Sequence, residues 1–119
     1  MKVISIDGVD YVKKEDSKES AQDLRGMKYV IVRTYSAGVF AGYLHVRKGK
    51  EVSLVNARRL WKWAGAASLS QLAVDGTKEP SSCKFPCEVS NIDLTEAIEI
   101  LDVTAKSQKS IAEVAIWKI

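Results

Sequence analysis

The chain has few of the residues that form disulfide bonds, bind soft metal ions or carry out acid–base chemistry near neutral pH. Its 119 residues include only two cysteines and one histidine. A disulfide framework needs more cysteines, and a zinc site generally takes four ligands, whereas one copy of this chain offers at most three soft ones. We therefore expect no metal and no cofactor, and we interpret Cys83 and Cys87 as small half-buried residues around Phe85 and Pro86.

The sequence also lacks long apolar runs and a strong excess of charge of one sign. No stretch approaches the roughly 20 apolar residues that span a bilayer, and residues 1–6 lack the long apolar middle of a signal peptide. The net charge is +3, with 18 basic and 15 acidic residues spread along the chain. These features predict a protein that stays in the cytoplasm where it is made and has no membrane partner. They also argue against tight binding of a nucleic-acid polymer.

Recognisable catalytic motifs are missing as well. The sequence contains no GxSxG, no HExxH and no P-loop. His45 is the one candidate general base, and no partner nucleophile is visible for it. We therefore predict that the protein is not an enzyme.

What is present is the pattern of one α+β domain spanning residues 1–119. The chain is 46% apolar, which is enough to bury a core. Residues 2–12 predict a hairpin, and residues 13–26 predict a polar loop or short surface helix. Residues 28–46 predict a central hairpin, because side chains alternate between faces along a strand. The even positions there are aliphatic or phenylalanine (Val30, Val32, Phe40, Leu44, Val46), and the odd positions carry Tyr29, Arg33, Tyr35, Tyr43, His45 and Arg47.

The second half of the chain predicts helices and shorter strands. After a strand at 51–55, Asn56 is expected to cap a helix that ends near Ala64, and Ser68 to cap a second helix at 69–75. The predicted strands that follow lie at 84–89, 92–94 and 97–101, and the predicted C-terminal helix covers 105–114 behind an N-cap at Thr104. The result is a mainly antiparallel sheet with two short helices after the third to fifth strands and a C-terminal helix. The predicted core comprises Phe40, Leu44, Leu60, Trp63, Ile98 and Trp117, and Gly42 is expected to mark a bulge or a close approach.

Several segments resemble a family of small uncharacterised bacteriophage proteins. They include Arg33-Thr-Tyr-Ser-Ala-Gly38 and the Trp-x-Trp-x-Gly pattern that ends at Gly65. The similarity covers residues 28–119, so that residues 1–27 form a variable N-terminal hairpin and loop. The resemblance implies a phage origin and a place in the host bacterial cytoplasm, and it implies no activity.

Basic and aromatic residues of the central hairpin and the following segment suggest a binding site. Arginine grips phosphate oxygens and aromatic rings stack on bases, so we expect these side chains to converge on one concavity that takes a small anionic, nucleotide-like ligand. The predicted ligand-binding residues are Arg33, Tyr35, Tyr43, His45, Arg58, Arg59 and Trp61. Replacing Arg33 or Arg58 by Ala is expected to abolish binding and to leave the fold intact. In a phage setting such a protein, expected to be a homo-oligomer, would sequester a host immune signal without catalysis.

Two other readings fit the same residues. A phage interaction module, either an inhibitor of a host enzyme or a component of virion assembly, would use the tyrosines at an interface. A binder of single-stranded nucleic acid would use the rings for stacking and the basic residues for phosphate contacts. The sequence leaves these alternatives open.

Overall fold

Five antiparallel strands and two helices make up the part of the chain that the structure describes. The structure is a computed structural model, and it describes residues 19–119; the hairpin predicted at 2–12 lies outside this range. The elements are β1 (Tyr29–Thr34), β2 (Val39–Lys48), β3 (Glu51–Arg59), α1 (Leu69–Asp75), a 3-10 turn (Pro80–Ser82), β4 (Glu88–Leu94), β5 (Ala97–Asp102) and α2 (Ala105–Glu113). A mainly antiparallel sheet that carries helices after its strands is therefore confirmed. No helix in residues 19–119 has the length and apolar character required to cross a membrane.

The sheet curls until its two edges approach each other. The strand order is β4-β3-β2-β1-β5, so β4 and β5 lie at opposite edges. Only Thr95 and Glu96 separate these strands in sequence, and the Ala97 N–H donates to the Lys50 carbonyl at the β2–β3 turn, 3.0 Å away. A connection this short requires the edges to meet at one end, which gives the sheet an inner and an outer face.

Both faces of the central strands are buried. The inner face packs one apolar cluster around Val32, Phe40 and Leu54. The outer face packs a second cluster, in which Tyr29 and Ile31 lie against side chains of α1 and α2. The predicted alternation between faces is thus confirmed for β1, but the odd-numbered face is covered by helices at its centre rather than left open.

Bulges in β2 and β3 change which side chains face inward. Leu44 pairs with Leu54 and Val46 with Ser53, so His45 is an extra residue in β2. The predicted inward position of Val46 is therefore wrong, and this side chain is 49% exposed. Each extra residue reverses the alternation for the residues beyond it.

A second bulge explains why the helix predicted at 57–64 is wrong. Asn56 has φ of 51° and is the extra residue of β3 where that strand passes Gly42 of β2. Asparagine tolerates this left-handed conformation, so it bends the strand instead of capping a helix. Strand β3 then continues to Arg59 with partners on both sides, and this pairing overrides a weak local preference for helix. A Cβ at Gly42 would lie 3.0 Å from the Ala57 Cα, which confirms the close approach predicted there.

The other two predicted helices form as expected. Ser68 Oγ accepts a hydrogen bond from the Gln71 N–H at 3.1 Å, and α1 ends at Gly76 with φ of 76°. Thr104 Oγ1 accepts from the Ser107 N–H at 3.1 Å at the start of α2. The two strands predicted at 84–89 and 92–94 are in fact one strand, β4, preceded by isolated bridges.

The predicted core is correct in its centre and wrong at two positions. Phe40 and Leu60 are 1% and 2% exposed, and Leu44 and Trp63 are half-buried against the two clusters. Ile98 and Trp117 are 46% and 45% exposed and do not belong to the core. Ile98 lies on an edge strand, and Trp117 lies beyond α2 in the C-terminal segment.

Candidate functional site

The structure separates most of the predicted ligand-binding residues. Arg33 is exposed on β1 and forms an ion pair with Glu99 at 2.9 Å. Tyr35 is 78% exposed beside the β1–β2 turn, and His45 is exposed at the β2 bulge. Trp61 is 63% exposed. No two of these four side chains line a common hollow among the four described in residues 19–119.

Arg59 is occupied by local contacts. Its Nη1 donates to the Ala37 carbonyl at 2.6 Å, and its guanidinium carbon lies 4.4 Å from the centroid of the Phe40 ring. A cation above an aromatic face is attracted to it, so both contacts hold Arg59 against the β1–β2 turn. Of the seven predicted residues, only Tyr43 and Arg58 line the same hollow.

Arg58 is buried and binds four backbone carbonyls. Its Nε donates to Pro86 O at 2.9 Å, and its Nη2 donates to Phe85 O at 3.0 Å and to Val114 O at 2.8 Å. Its Nη1 donates to Ile111 O at 2.8 Å. The guanidinium therefore joins β3 to the segment before β4 and to the last turn of α2. Its positive charge there also interacts favourably with the negative end of the helix dipole.

These contacts correct the expectation for Arg58→Ala. A side chain with four buried acceptors holds the fold together, so its removal should destabilise the protein as well as alter any binding. The sequence does not predict this role, because the acceptors are backbone carbonyls, which every residue carries.

A hollow of about 300 Å³ lies between the sheet and α2. Its polar lining is Tyr29, Tyr43, Arg58, Glu88 and Gln108, and its apolar lining is Ile111, Ala112, Val114 and Ile116. The rings of Tyr29 and Tyr43 meet edge to face, with centroids 5.1 Å apart and planes at 68°. The Tyr43 hydroxyl accepts a hydrogen bond from Gln108 Nε2 at 3.2 Å, which fixes the position of both side chains.

The Tyr29 hydroxyl is buried without a partner among the described residues. Tyr29 is 8% exposed, and no hydrogen bond within residues 19–119 involves its hydroxyl. Burial is the main cause that raises the pKa of Tyr29, and the nearby Tyr43 and Glu88 add to it. The hydroxyl therefore stays protonated and keeps a donor available to the hollow.

Arg58 brings positive charge to the same hollow. No carboxylate within residues 19–119 forms an ion pair with it, and burial lowers the pKa of its guanidinium. Four of its five N–H groups are used by carbonyls, so one on Nη1 is left without an acceptor among the described residues. Glu88 is exposed at the rim and acts on Arg58 from a longer distance. The hollow thus offers hydrogen-bond donors and an incompletely compensated cation, which together suit an anion.

Tyr29 and Gln108 are two hydrogen-bonding residues of the lining that were not predicted as ligand-binding from the sequence. Tyr29 belongs to the odd-numbered series of the central hairpin that supplied Tyr43, so the alternation pointed toward it. Gln108 lies three residues before the buried Ile111, so helical spacing places both on the same side of α2. Within residues 19–119, His, Cys, Asp and Glu side chains do not gather in threes at a place that could hold a metal ion.

Comparison with known proteins gives a family and no activity. No curated protein and no solved structure matches the chain. Residues 27–111, which include β1 to β5 and most of α2, match the model of a family described as a domain of unknown function, DUF6948. The match covers more than half of the chain, and the protein therefore belongs to the DUF6948 family.

Proposed function

We propose that this protein binds a small anionic molecule in the hollow between the sheet and α2 and does not convert it. The observation that carries the proposal is that one hollow is lined by two groups with a donor lacking an acceptor among the described residues, one N–H on Arg58 Nη1 and the Tyr29 hydroxyl. Arg58 is a buried cation without an ion pair in the described residues, and Tyr29 is a buried hydroxyl without a hydrogen bond there. Buried polar groups nearly always have partners, and a ligand with acceptor oxygens would supply them.

The size of the hollow limits the ligand. About 300 Å³ is at the lower end of the range for small-molecule sites. A phosphate or carboxylate group with a few further atoms fits such a space, whereas a larger molecule would place only its anionic end there. A nucleotide-type host signal with its phosphate beside Arg58 and Tyr29 is our specific proposal, and sequestration of that signal during phage infection is the role we assign to it.

Glu88 gives a sharp test, because its charge can be removed without changing Arg58 or Tyr29. Glu88→Gln removes a negative charge at the rim and should tighten the binding of an anion by about two- to fivefold. Gln108→Glu adds a negative charge and should weaken binding by at least as much. Asp93→Asn is the matched control, because it removes an exposed charge from the same strand outside the hollow.

The measurement is a thermal-shift and calorimetric screen with inorganic phosphate, nucleoside monophosphates and dicarboxylates. A ligand selective for the folded state raises the melting temperature. Tyr29→Phe should reduce the shift, and Tyr35→Phe, which lies outside the hollow, should leave it unchanged. Mass spectrometry of the molecule released on denaturation should show it intact, whereas a converted product would indicate catalysis. Equal affinities of the Glu88→Gln and wild-type proteins would remove the hollow from consideration.

A further inference from the structure

The C-terminal segment builds a second surface beside the curled sheet. Lys62 and Lys84 exchange both backbone hydrogen bonds, at 3.2 and 2.7 Å. The Trp117 N–H donates to the Phe85 carbonyl at 3.0 Å, and Phe85 pairs with Ile116 in a parallel bridge. Three short extended segments, from separate parts of the chain, therefore lie side by side.

Two tryptophans are left largely outside the core on this surface. Trp61 and Trp117 are 63% and 45% exposed, although indole rings are costly to leave in water. Their planes are within 8° of parallel and their centroids are 6.4 Å apart, which is within the range of offset-stacked pairs. Together they form an exposed pair of stacked rings, which we name the tryptophan platform.

Lysines flank the tryptophan platform without acidic partners. Lys62 and Lys84 are directly opposite each other, so their side chains project from the same side of the paired segments. The Lys84 ammonium lies 5.5 Å from the centroid of the Trp117 ring. Neither lysine forms an ion pair within residues 19–119. Like charges placed opposite each other repel, and an anion between them would relieve that repulsion.

We propose that the tryptophan platform binds single-stranded nucleic acid, with an unpaired base stacked on the exposed indole of Trp61 and the adjoining phosphates bound by Lys62 and Lys84. Flat rings beside basic side chains are the means by which proteins hold single strands without reading sequence. A net charge of +3 suits contact with a few nucleotides and not with a long polymer. This proposal does not depend on the hollow lined by Tyr29 and Arg58.

Charge and ring geometry favour this occupant over two other candidates, a second copy of this chain and an acidic peptide. A two-fold contact between copies of this chain would bring one lysine pair near another, which is unfavourable. An acidic peptide would satisfy the lysines but offers few planar groups to cover two indoles. A nucleotide strand supplies planar bases and phosphates at regular spacing, so it matches both features of the platform.

The test is fluorescence anisotropy with a labelled short oligothymidylate, measured across a range of salt concentrations. Trp61→Ala should weaken binding about tenfold, because stacking of one base on an aromatic ring is worth about 1–3 kcal/mol. Tyr35→Ala is the matched control, since Tyr35 is an exposed ring that is not part of the platform. The double variant Lys62→Gln and Lys84→Gln should flatten the dependence of log affinity on log salt by about 1.4, and Lys48→Gln should leave it unchanged. Trp61 is exposed, so melting temperatures should confirm that each variant is folded.

Several outcomes would overturn the proposal. Absence of binding at low salt is one, and equal affinities of the Trp61→Ala and Tyr35→Ala variants is another. Equal binding of an acidic peptide of the same charge would assign the surface to a protein partner. Self-association of the wild type that Trp61→Ala abolishes, with no effect on oligonucleotide affinity, would assign it to a second copy. Glu88→Gln should not change oligonucleotide binding, so the result is separate from the test of the hollow.

Discussion

Replacement of Arg58 by methionine is the most informative perturbation of this fold. Methionine keeps a long apolar side chain but removes every N–H donor, so four carbonyls lose a charged donor. Those of Phe85 and Ile111 keep a backbone N–H, whereas those of Pro86 and Val114 lose the one hydrogen bond that they have within residues 19–119. A hydrogen bond to a charged group contributes about 1.5–3 kcal/mol, and simple addition over four bonds would give about 6 kcal/mol or more. Such terms are not additive, and water can reach some of the freed carbonyls. Leaving a buried acceptor without a partner costs about 1–3 kcal/mol, so the loss at Pro86 and Val114 amounts to about 4 kcal/mol.

We therefore expect the Arg58→Met variant to lose about 4 kcal/mol of free energy of unfolding, which corresponds to a fall of roughly 15 °C in melting temperature. Arg59→Met is the matched control at the next position. Arg59 is half-buried and has one carbonyl partner and one ring contact, so its loss should cost only about 1 kcal/mol. Arg58→Lys should fall between the two, because an ammonium keeps the charge but cannot reach four carbonyls with the same geometry.

The assay is urea unfolding followed by tryptophan fluorescence and circular dichroism, with the slope of each transition compared between variants. Unchanged slopes would show that the variants differ in stability and not in the compactness of the unfolded state. A loss in Arg58→Met no larger than that in Arg59→Met would contradict the role we assign to the four carbonyl contacts.

Three further predictions concern Tyr29, Gly65 and Arg33. Tyr29→Phe should leave stability at neutral pH unchanged or raise it by about 1 kcal/mol, because it removes a buried hydroxyl that lacks a protein partner. Since the pKa of Tyr29 is raised above its ordinary value of 10.0, the folded protein keeps this proton where the unfolded chain releases it. Wild-type stability relative to Tyr29→Phe should therefore fall only above about pH 10, by at most about 1.4 kcal/mol per pH unit in alkaline urea titrations. Gly65→Ala should lower the free energy of unfolding in urea by more than about 3 kcal/mol, because a Cβ there would collide with backbone atoms of a neighbouring loop. Gly26 has a similar φ and open space around it, so Gly26→Ala should cost only about 1 kcal/mol. Equal losses in the two variants would contradict this reasoning. Arg33→Ala should cost under about 1 kcal/mol, since its ion pair with Glu99 is exposed, and a double-mutant cycle that gave a larger coupling would refute that estimate.

Local signals in the sequence predicted the two helices that form, α1 and α2, more accurately than the strands. The cap at Ser68 and the stop at Gly76 lie next to the helix that they bound, so α1 was predicted to the residue. The bulges at His45 and Asn56 depend on how β2 and β3 pair, and no local pattern specifies that pairing. For this reason the exposure of Val46 was mispredicted, and a strand was taken for a helix at 57–64.

The candidate site shows the same limit. Residue types indicated that arginines and tyrosines of the central hairpin and the following segment matter, and the structure does place Tyr43 and Arg58 beside one hollow. The acceptors of Arg58 are 27 to 56 residues away in sequence and are backbone atoms. The hydrogen-bond partners of Arg58 therefore could not be predicted from the sequence pattern, and neither could the ion pair between Arg33 and Glu99.

The bulges at His45 and Asn56 have a consequence for how this protein can vary. Each is one extra residue in its strand, and inward and outward positions exchange along the rest of that strand. Substituting either residue keeps the alternation of the later side chains, whereas deleting it would turn every later side chain of the strand to the opposite face. Chain length through β2 and β3 should therefore be more tightly constrained than residue identity at the bulges. Insertions and deletions are expected at the tight turns near residues 36 and 49 instead.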